Sequence, residues 1–233
     1  MRIAVIGAGS WGTALANLLA GKGLDVTLWA YEQELVERLA ESHVNDLFLP
    51  EVALDRRLHF TNDLATAVSG RLLVVLASPS QVMRSVVRQL QPHLAADSLL
   101  VSAAKGIEND TLLLMSEVLE EELGLAANVR SAYLSGPSFA REVAAGLPTA
   151  VTVAALEPEV GRRVQELFHT DVFRVYTNAD VVGVELGGAL KNVIALAAGV
   201  SDGLGFGHNA RAALINRGLV EMARLGAAKG AEA

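Results

Sequence analysis

The 233-residue sequence contains no cysteine. Disulfides, thiolate metal ligands and thiol nucleophiles are thereby excluded. Aromatic residues are scarce, at 5%, although 52% of the chain is hydrophobic. Small aliphatic residues make up most of that fraction, and 21 glycines accompany them, a balance suited to helices packed closely on a sheet. Positive charge is in deficit: 19 Lys and Arg stand against 26 Asp and Glu, a net charge of −7. No general nucleic-acid or anionic-membrane surface is expected from such a chain. An anionic substrate would have to be met by a local basic pocket. The histidines His43, His59, His93, His169 and His208 are scattered, with no pair at helical ligand spacing, so no metal site is expected. An Asn109–Thr111 sequon carries no meaning without secretion.

Long uncharged runs are also rare. Ile3 to Gly21 is one, but glycines, Ser10, Thr13 and Asn17 interrupt it, and it reads as neither signal peptide nor membrane span. Repeats, low-complexity tracts and flexible linkers are missing. A soluble, cytoplasmic chain is expected.

Short apolar runs alternate with amphipathic ones. RIAVIG, DVTLWA, RLLVVLA, SLLVSAA, SAYLS, TAVTVAA and VFRVYT read as strands. Helices are expected at SWGTALANLLAGKG, EQELVERLAES, SQVMRSVVRQLQPHL and TLLLMSEVLEEEL, from about Ser138, and from near Glu157, with a looser stretch through Pro50. This alternation predicts an α/β fold with a doubly wound parallel sheet. After Ala179 the pattern changes to two helices, 180–200 and 209–229. We therefore expect a dinucleotide-binding Rossmann domain over 1–180 and the beginning of an all-helical domain over 181–233, its end reading as a truncated or frayed helix.

Gly7, Gly9 and Gly12 form a G-x-G-x-x-G pattern between the first strand and the first helix. Gly7 permits the tight turn, Gly9 lets backbone approach a pyrophosphate, and Gly12 lets helix pack on strand. The helix N-terminus then offers free N–H groups to phosphate. No Gly-Lys-Ser/Thr follows, which excludes a P-loop. The second strand ends Trp29, Ala30, Tyr31, Glu32, with no arginine until Arg38. Glu32 leans towards NAD and leaves NADP open.

Ligands in open α/β sheets lie beyond the carboxyl ends of the strands. Lys105 with Gly106, Ser135–Ser138, and Ser78–Ser80 all stand at such ends. Each has a functional reading and a plain one. Ser138 doubles as an N-cap candidate, and Ser78 and Ser80 as capping residues. GGALKNVIALAAGV places Lys191 alone in an apolar helix, with Gly187 one turn before it. Either Lys191 is a desolvated general base beside Lys105, or it reaches the surface or pairs with Glu185.

The pieces GAGSWGTALA, SPSQVMR, AAKGIE, LSGPSFAREVA, GLPTAV and GVELGGALKNVIALAAGVSDGLGFGHNARAALINRGLVEMARLG occur in order. In them the chain resembles the bacterial-type NAD(P)-dependent glycerol-3-phosphate dehydrogenase family. The resemblance implies reversible hydride transfer between sn-glycerol 3-phosphate and NAD(P)+, giving dihydroxyacetone phosphate for phospholipid synthesis, in a homodimer. It assigns Gly7, Gly9, Ser10, Trp11, Gly12, Tyr31, Lys105 and Ala140 to the cofactor. Lys105, Gly136, Ser138, Lys191 and Asn192 fall to the substrate, with Lys191 and Lys105 catalytic. Family members continue past residue 233, so these residues alone are expected to bind dinucleotide and turn over poorly. His208 is expected in a loop, without a catalytic role. The alternatives are a β-hydroxyacid dehydrogenase of the 6-phosphogluconate or hydroxyisobutyrate type, and a non-catalytic nucleotide-binding module.

Overall fold

A computed structural model describes residues 1–232. Ten strands are present among them: β1 Arg2–Ile6, β2 Asp25–Trp29, β3 Val44–Asn45, β4 Leu49–Ala53, β5 His59–Thr61, β6 Leu73–Leu76, β7 Leu99–Ser102, β8 Ser131–Ser135, β9 Thr149–Ala154 and β10 Phe173–Asn178. The helices are α1 Ser10–Gly21, α2 Gln33–Ser42, α3 Leu64–Val68, α4 Ser80–Leu90, α5 Met115–Leu123, α6 Ala140–Ala144, α7 Pro158–Phe168, α8 Val181–Gly203 and α9 Gly207–Lys229. Eight strands form one sheet in the order β10-β9-β8-β7-β6-β1-β2-β5, and β3 pairs with β4 apart from it.

The central strands are buried and largely apolar because both faces of the sheet are covered. Alternation sends Ile3 and Val5 of β1 to one face and Ala4 and Ile6 to the other. The first face packs on Ala14, Leu15 and Leu19 of α1 and on Val164 and Phe168 of α7. The second packs on Met83, Val87 and Leu90 of α4 and on Val118 and Leu119 of α5. Each fully buried Leu, Ile or Phe adds about 1.5–3 kcal/mol.

Several sequence expectations are corrected. The sheet is parallel except between β8 and β9, which pair antiparallel. A parallel return needs a crossover element that spans the strand length. The five residues of α6 cover only about 7.5 Å, and Gly136, at φ +140°, turns the chain back so closely that a Cβ there would lie 3.0 Å from Val151 Cα. The looser stretch contains the β3–β4 hairpin, and β5 follows as an edge strand of the main sheet. Helix α5 begins at Met115 rather than in TLLL: Leu112 has φ +58°, and Glu117 reaches back to accept the Leu114 N–H at 2.7 Å.

The two C-terminal helices exceed their expected spans. Asp180 caps α8 by accepting the Gly183 N–H at 2.8 Å. Gly230, at φ +98°, ends α9 in a left-handed turn rather than in a frayed end. α8 is not buried as its composition suggests. Val181, Leu186 and Gly188 pack inward, whereas Val193, Leu196 and Val200 of its second half are exposed. Among the described residues, α8 is the one helix long and apolar enough to cross a membrane by length and composition.

Candidate active site

The turn after β1 carries the glycines. Gly7 has φ +115°, and a Cβ on it would lie 2.9 Å from the Ala77 carbonyl carbon and the Ser78 nitrogen. Only glycine fits that backbone and that approach. A Cβ on Gly12 would overlap the Gly7 carbonyl oxygen, so this residue lets α1 seat on β1. Around Gly9 no protein atom lies within 4 Å of a Cβ position. No side chain caps α1, which leaves its first N–H groups available to a ligand.

A cavity of about 560 Å³ opens beside this turn, lined by Gly7, Gly9, Trp29, Tyr31, Glu32 and Ser78 among others. Tyr31 is exposed and meets Trp29 edge-on at 6.3 Å. No lysine or arginine lines the cavity. Ser78 is buried, with its hydroxyl 3.3 Å from the Ile6 carbonyl, and Ser80 is the first residue of α4 rather than its cap.

The loop after β7 is gripped by α4. Gln81 donates to the Ile107 carbonyl at 2.8 Å and accepts the Asn109 N–H at 3.0 Å. Arg84 binds Glu108 at 2.7 Å and Glu122 at 2.6 Å. Gly106, at φ +153°, passes so close to Ser80 that a side chain would overlap its hydroxyl. This brace holds Lys105. The Lys105 ammonium donates to the Gly136 carbonyl at 3.1 Å and to Ser138 Oγ at 3.0 Å, and stands 5.4 Å from the centroid of the Trp11 ring. Ser138 is therefore a partner of Lys105, and the cap of the short helix α6 is Phe139. Ala140 is the first residue of α6, half-buried against the core.

Lys191 comes to the same place from α8. It lines a recess of about 290 Å³ with Ser135, Gly136, Pro137, Gly187 and Gly188. The Lys191 ammonium donates to Asn192 Oδ1 at 2.7 Å and is exposed rather than desolvated. The lysine with the lowered pKa is Lys105: burial, and then the Lys191 charge, brings it down to about 8. Replacing Lys191 by alanine is expected to raise the Lys105 pKa only part of the way to the ordinary lysine value, because burial is the larger cause. Lysine side-chain NMR across pH 6–11 checks this; an unmoved value would mean the two ammoniums do not interact.

Glu185 does not pair with Lys191. It faces α5, where its carboxylate accepts the Ser116 N–H at 3.1 Å and the Ser116 hydroxyl at 2.5 Å. Burial, with Glu117 nearby, pushes its pKa up to about 7 against the opposing effect of Ser116. Tyr133 faces the same pocket, its buried hydroxyl unpartnered and its pKa pushed up by burial and by Glu185. Folded protein thus holds a proton that unfolded chain releases near its ordinary value. The stability from protonated Glu185 is complete below about pH 4.5 and is lost as pH rises through about 7. Glu185→Gln is expected to stabilise the protein at pH 8 by on the order of 2 kcal/mol, with the gain shrinking towards pH 5. Thermal melts of both proteins across that range measure it.

Sequence reasoning missed Gln81, Arg84, Gly188 and Asn45. A Cβ on Gly188 would overlap Ser135 Oγ and lie 3.7 Å from Lys105 Cγ, so Gly188 is where α8 closes on the site. Asn45 is fully buried against the glycine turn. These roles are made by tertiary contacts and leave no local pattern. His208 lies in the first turn of α9 rather than in a loop, exposed and 2.9 Å from Arg211.

A glycine turn, an uncapped helix start and two lysines from separate elements thus meet at the carboxyl ends of the strands. The family model for the N-terminus of NAD-dependent glycerol-3-phosphate dehydrogenase matches residues 2–160, and the model for its C-terminus matches 180–233. The chain belongs to the NAD-dependent glycerol-3-phosphate dehydrogenase family. It is 63% identical over 228 residues to glycerol-3-phosphate dehydrogenase (NAD(P)+) of Syntrophotalea carbinolica, covering 98% of this chain and 68% of that one. Identity to the enzyme of the same name from Geobacter metallireducens is 62%, over 99% of this chain and 69% of that one. The crystal structure of glycerol-3-phosphate dehydrogenase from Coxiella burnetii superposes with a TM-score of 0.92 at 42% identity, covering 99% of this chain and 70% of that one. The glycerol-3-phosphate dehydrogenase structure from Saccharomyces cerevisiae gives 0.84 at 33%, over 97% and 70%. Ketopantoate reductase from Ralstonia eutropha, with a TM-score of 0.61 at 20% identity, shares the fold alone. These likenesses set aside the β-hydroxyacid dehydrogenase alternative and the non-catalytic module.

Proposed function

We propose that this glycerol-3-phosphate dehydrogenase family member interconverts sn-glycerol 3-phosphate and dihydroxyacetone phosphate, with Lys191 moving the proton. One observation carries the reading. Lys105 is bonded to Gly136 and Ser138, stands over Trp11 of the glycine-turn helix, and has its pKa lowered by burial first and by the Lys191 charge second. That single side chain links the cofactor end to the lysine of α8.

The dinucleotide fits the residues present: Gly7 and Gly12 leave no room for side chains, the space at Gly9 is open, and the Trp11 indole N–H is buried without a partner. Gly7, Gly9, Ser10, Trp11, Gly12, Tyr31 and Ala140 would hold it, with Lys105 at the junction. Bound nicotinamide supplies the hydride acceptor or donor. In oxidation the neutral amine form of Lys191 takes the C2 hydroxyl proton of glycerol 3-phosphate as that carbon becomes the ketone, and in reduction the ammonium gives a proton to the carbonyl oxygen. Asn192 accepts from the Lys191 ammonium and sets its direction. Lys105 places positive charge beside the carbonyl oxygen and, with Gly136 and Ser138, shapes the substrate end.

Residues 1–180 act as the dinucleotide domain and 181–233 as part of the helical substrate and dimerisation domain. The enzyme works as a cytoplasmic homodimer in supplying glycerol 3-phosphate for phospholipid synthesis. Its preferred cofactor is NAD. Glu32 lines the cavity at the end of β2, no cation does, and Arg38 is paired with Asp46 at 3.3 Å. A 2′-phosphate would meet a carboxylate without a counter-charge. Titrations of NADH and NADPH, with and without dihydroxyacetone phosphate, test the whole reading. NADH is expected to bind at least about tenfold more tightly, roughly 1.4 kcal/mol, and to be oxidised when the ketone is added. Equal affinity would remove the role given to Glu32, and absence of binding would remove the function.

A further inference from the structure

The hairpin β3–β4 stands apart from the main sheet yet reaches the glycine turn through one side chain. Asn45 is fully buried. Its amide nitrogen donates to the Ala8 carbonyl and to Thr13 Oγ1, each at 2.8 Å, and its carbonyl accepts the Phe48 N–H at 3.1 Å. Thr13 Oγ1 donates to the same Ala8 carbonyl at 3.2 Å. Ala8 is the residue between the first two glycines, so two donors hold its oxygen on the hairpin side.

That constraint has a consequence for the next peptide N–H. Among the described residues no peptide bond is cis, and a trans peptide directs its N–H opposite to its C=O. Holding the Ala8 oxygen towards Asn45 therefore aims the Gly9 N–H the other way. Gly9 lines the cavity and is exposed, with open space where a Cβ would stand. Phe48, whose backbone Asn45 also holds, lines the same cavity.

We propose that Asn45 is a positioning residue for the dinucleotide: by anchoring the Ala8 carbonyl it fixes the Gly9 N–H as a donor to the pyrophosphate. The inference rests on the dinucleotide reading above and adds to it a residue distant in sequence. A two-strand hairpin is marginal by itself, so this buried amide joins hairpin and turn into one wall. The effect acts through backbone direction, so it must depend on the ligand's phosphates.

The test compares ligands with and without phosphate. In Asn45→Ala, ADP-ribose and NADH are expected to bind about tenfold more weakly, while adenosine binds as to the parent protein. Thr13→Val removes the second donor to Ala8 with little change of shape, and a smaller loss of the same phosphate-dependent kind is expected. It keeps the proposal testable should Asn45→Ala fail to fold. Unchanged affinities, or an equal loss for adenosine and ADP-ribose, would overturn the inference while leaving the cofactor reading intact. A parent protein that binds no NADH would overturn the cofactor reading, and this inference with it.

Discussion

Lys191→Ala is expected to lower kcat for NADH-dependent reduction of dihydroxyacetone phosphate by about 10²–10⁴-fold, relative to the parent chain under the same conditions. The NADH dissociation constant should change by less than about threefold, because the glycine turn lies on a separate element. The reason is local. Lys191 borders the recess formed with Gly136, Gly187 and Gly188, and its ammonium already carries a hydrogen bond to Asn192. Lys105 is held elsewhere, its ammonium donating to the Gly136 carbonyl and to Ser138 Oγ. Lys191→Arg separates charge from proton transfer. A guanidinium keeps the positive charge and does not release a proton near neutrality, so turnover should stay low in the oxidation direction. Recovery with arginine would show that Lys191 supplies only charge. Steady-state rates from NADH absorbance, in both directions, decide between these.

The second large effect concerns the glycines. Gly12→Ala places a methyl group into the Gly7 carbonyl oxygen and 3.1 Å from Ala77 Cβ. Neither neighbour is the free end of a flexible side chain, so α1 must shift off β1, taking Ser10 and Trp11 with it. Such overpacking costs about 1–3 kcal/mol of stability, and NADH affinity is expected to fall about a hundredfold as the helix start moves. Gly9→Ala is the contrast. No protein atom lies within 4 Å of its added Cβ, so the melting temperature should hold while NADH affinity falls. Calorimetric titration and thermal melts on both variants separate the glycine needed by the fold from the one needed by the ligand. Equal behaviour of the two would contradict the division of labour.

Much of this fold is legible in the sequence because its signals are local. Apolar runs mark β1, β6 and β7, and each lies in the central part of the sheet. The glycine pattern was readable because it combines a fixed spacing with a strand before it and a helix after it. The antiparallel entry of β9 was not, since its direction is set by a short α6 and by Gly136 packed against Val151, contacts without a periodic signature. The hairpin β3–β4 escaped notice for a similar reason: its two-residue strand is held by Asn45 against a turn 37 residues away.

The lysines teach a related point about burial. Composition alone suggests that Lys191 is desolvated, since it is the sole charge in a long apolar stretch. The structure gives that condition to Lys105, which composition places at an ordinary strand end. What decides the matter is where α8 touches the sheet. Leu186 and Gly188 pack down, and from Lys191 onward the helix surface is largely open. The buried carboxylate on the same helix, Glu185, turns away from both lysines to Ser116.

The reaction at this site is hydride transfer between a nicotinamide and the middle carbon of a three-carbon phosphate. Mixing the protein with dihydroxyacetone phosphate and NADH deuterated at nicotinamide C4 on the transferred face tests it directly. Glycerol 3-phosphate carrying one deuterium at C2 is expected, formed in step with the loss of NADH. Product without deuterium at C2, or NADH left intact at saturating ketone, would contradict it.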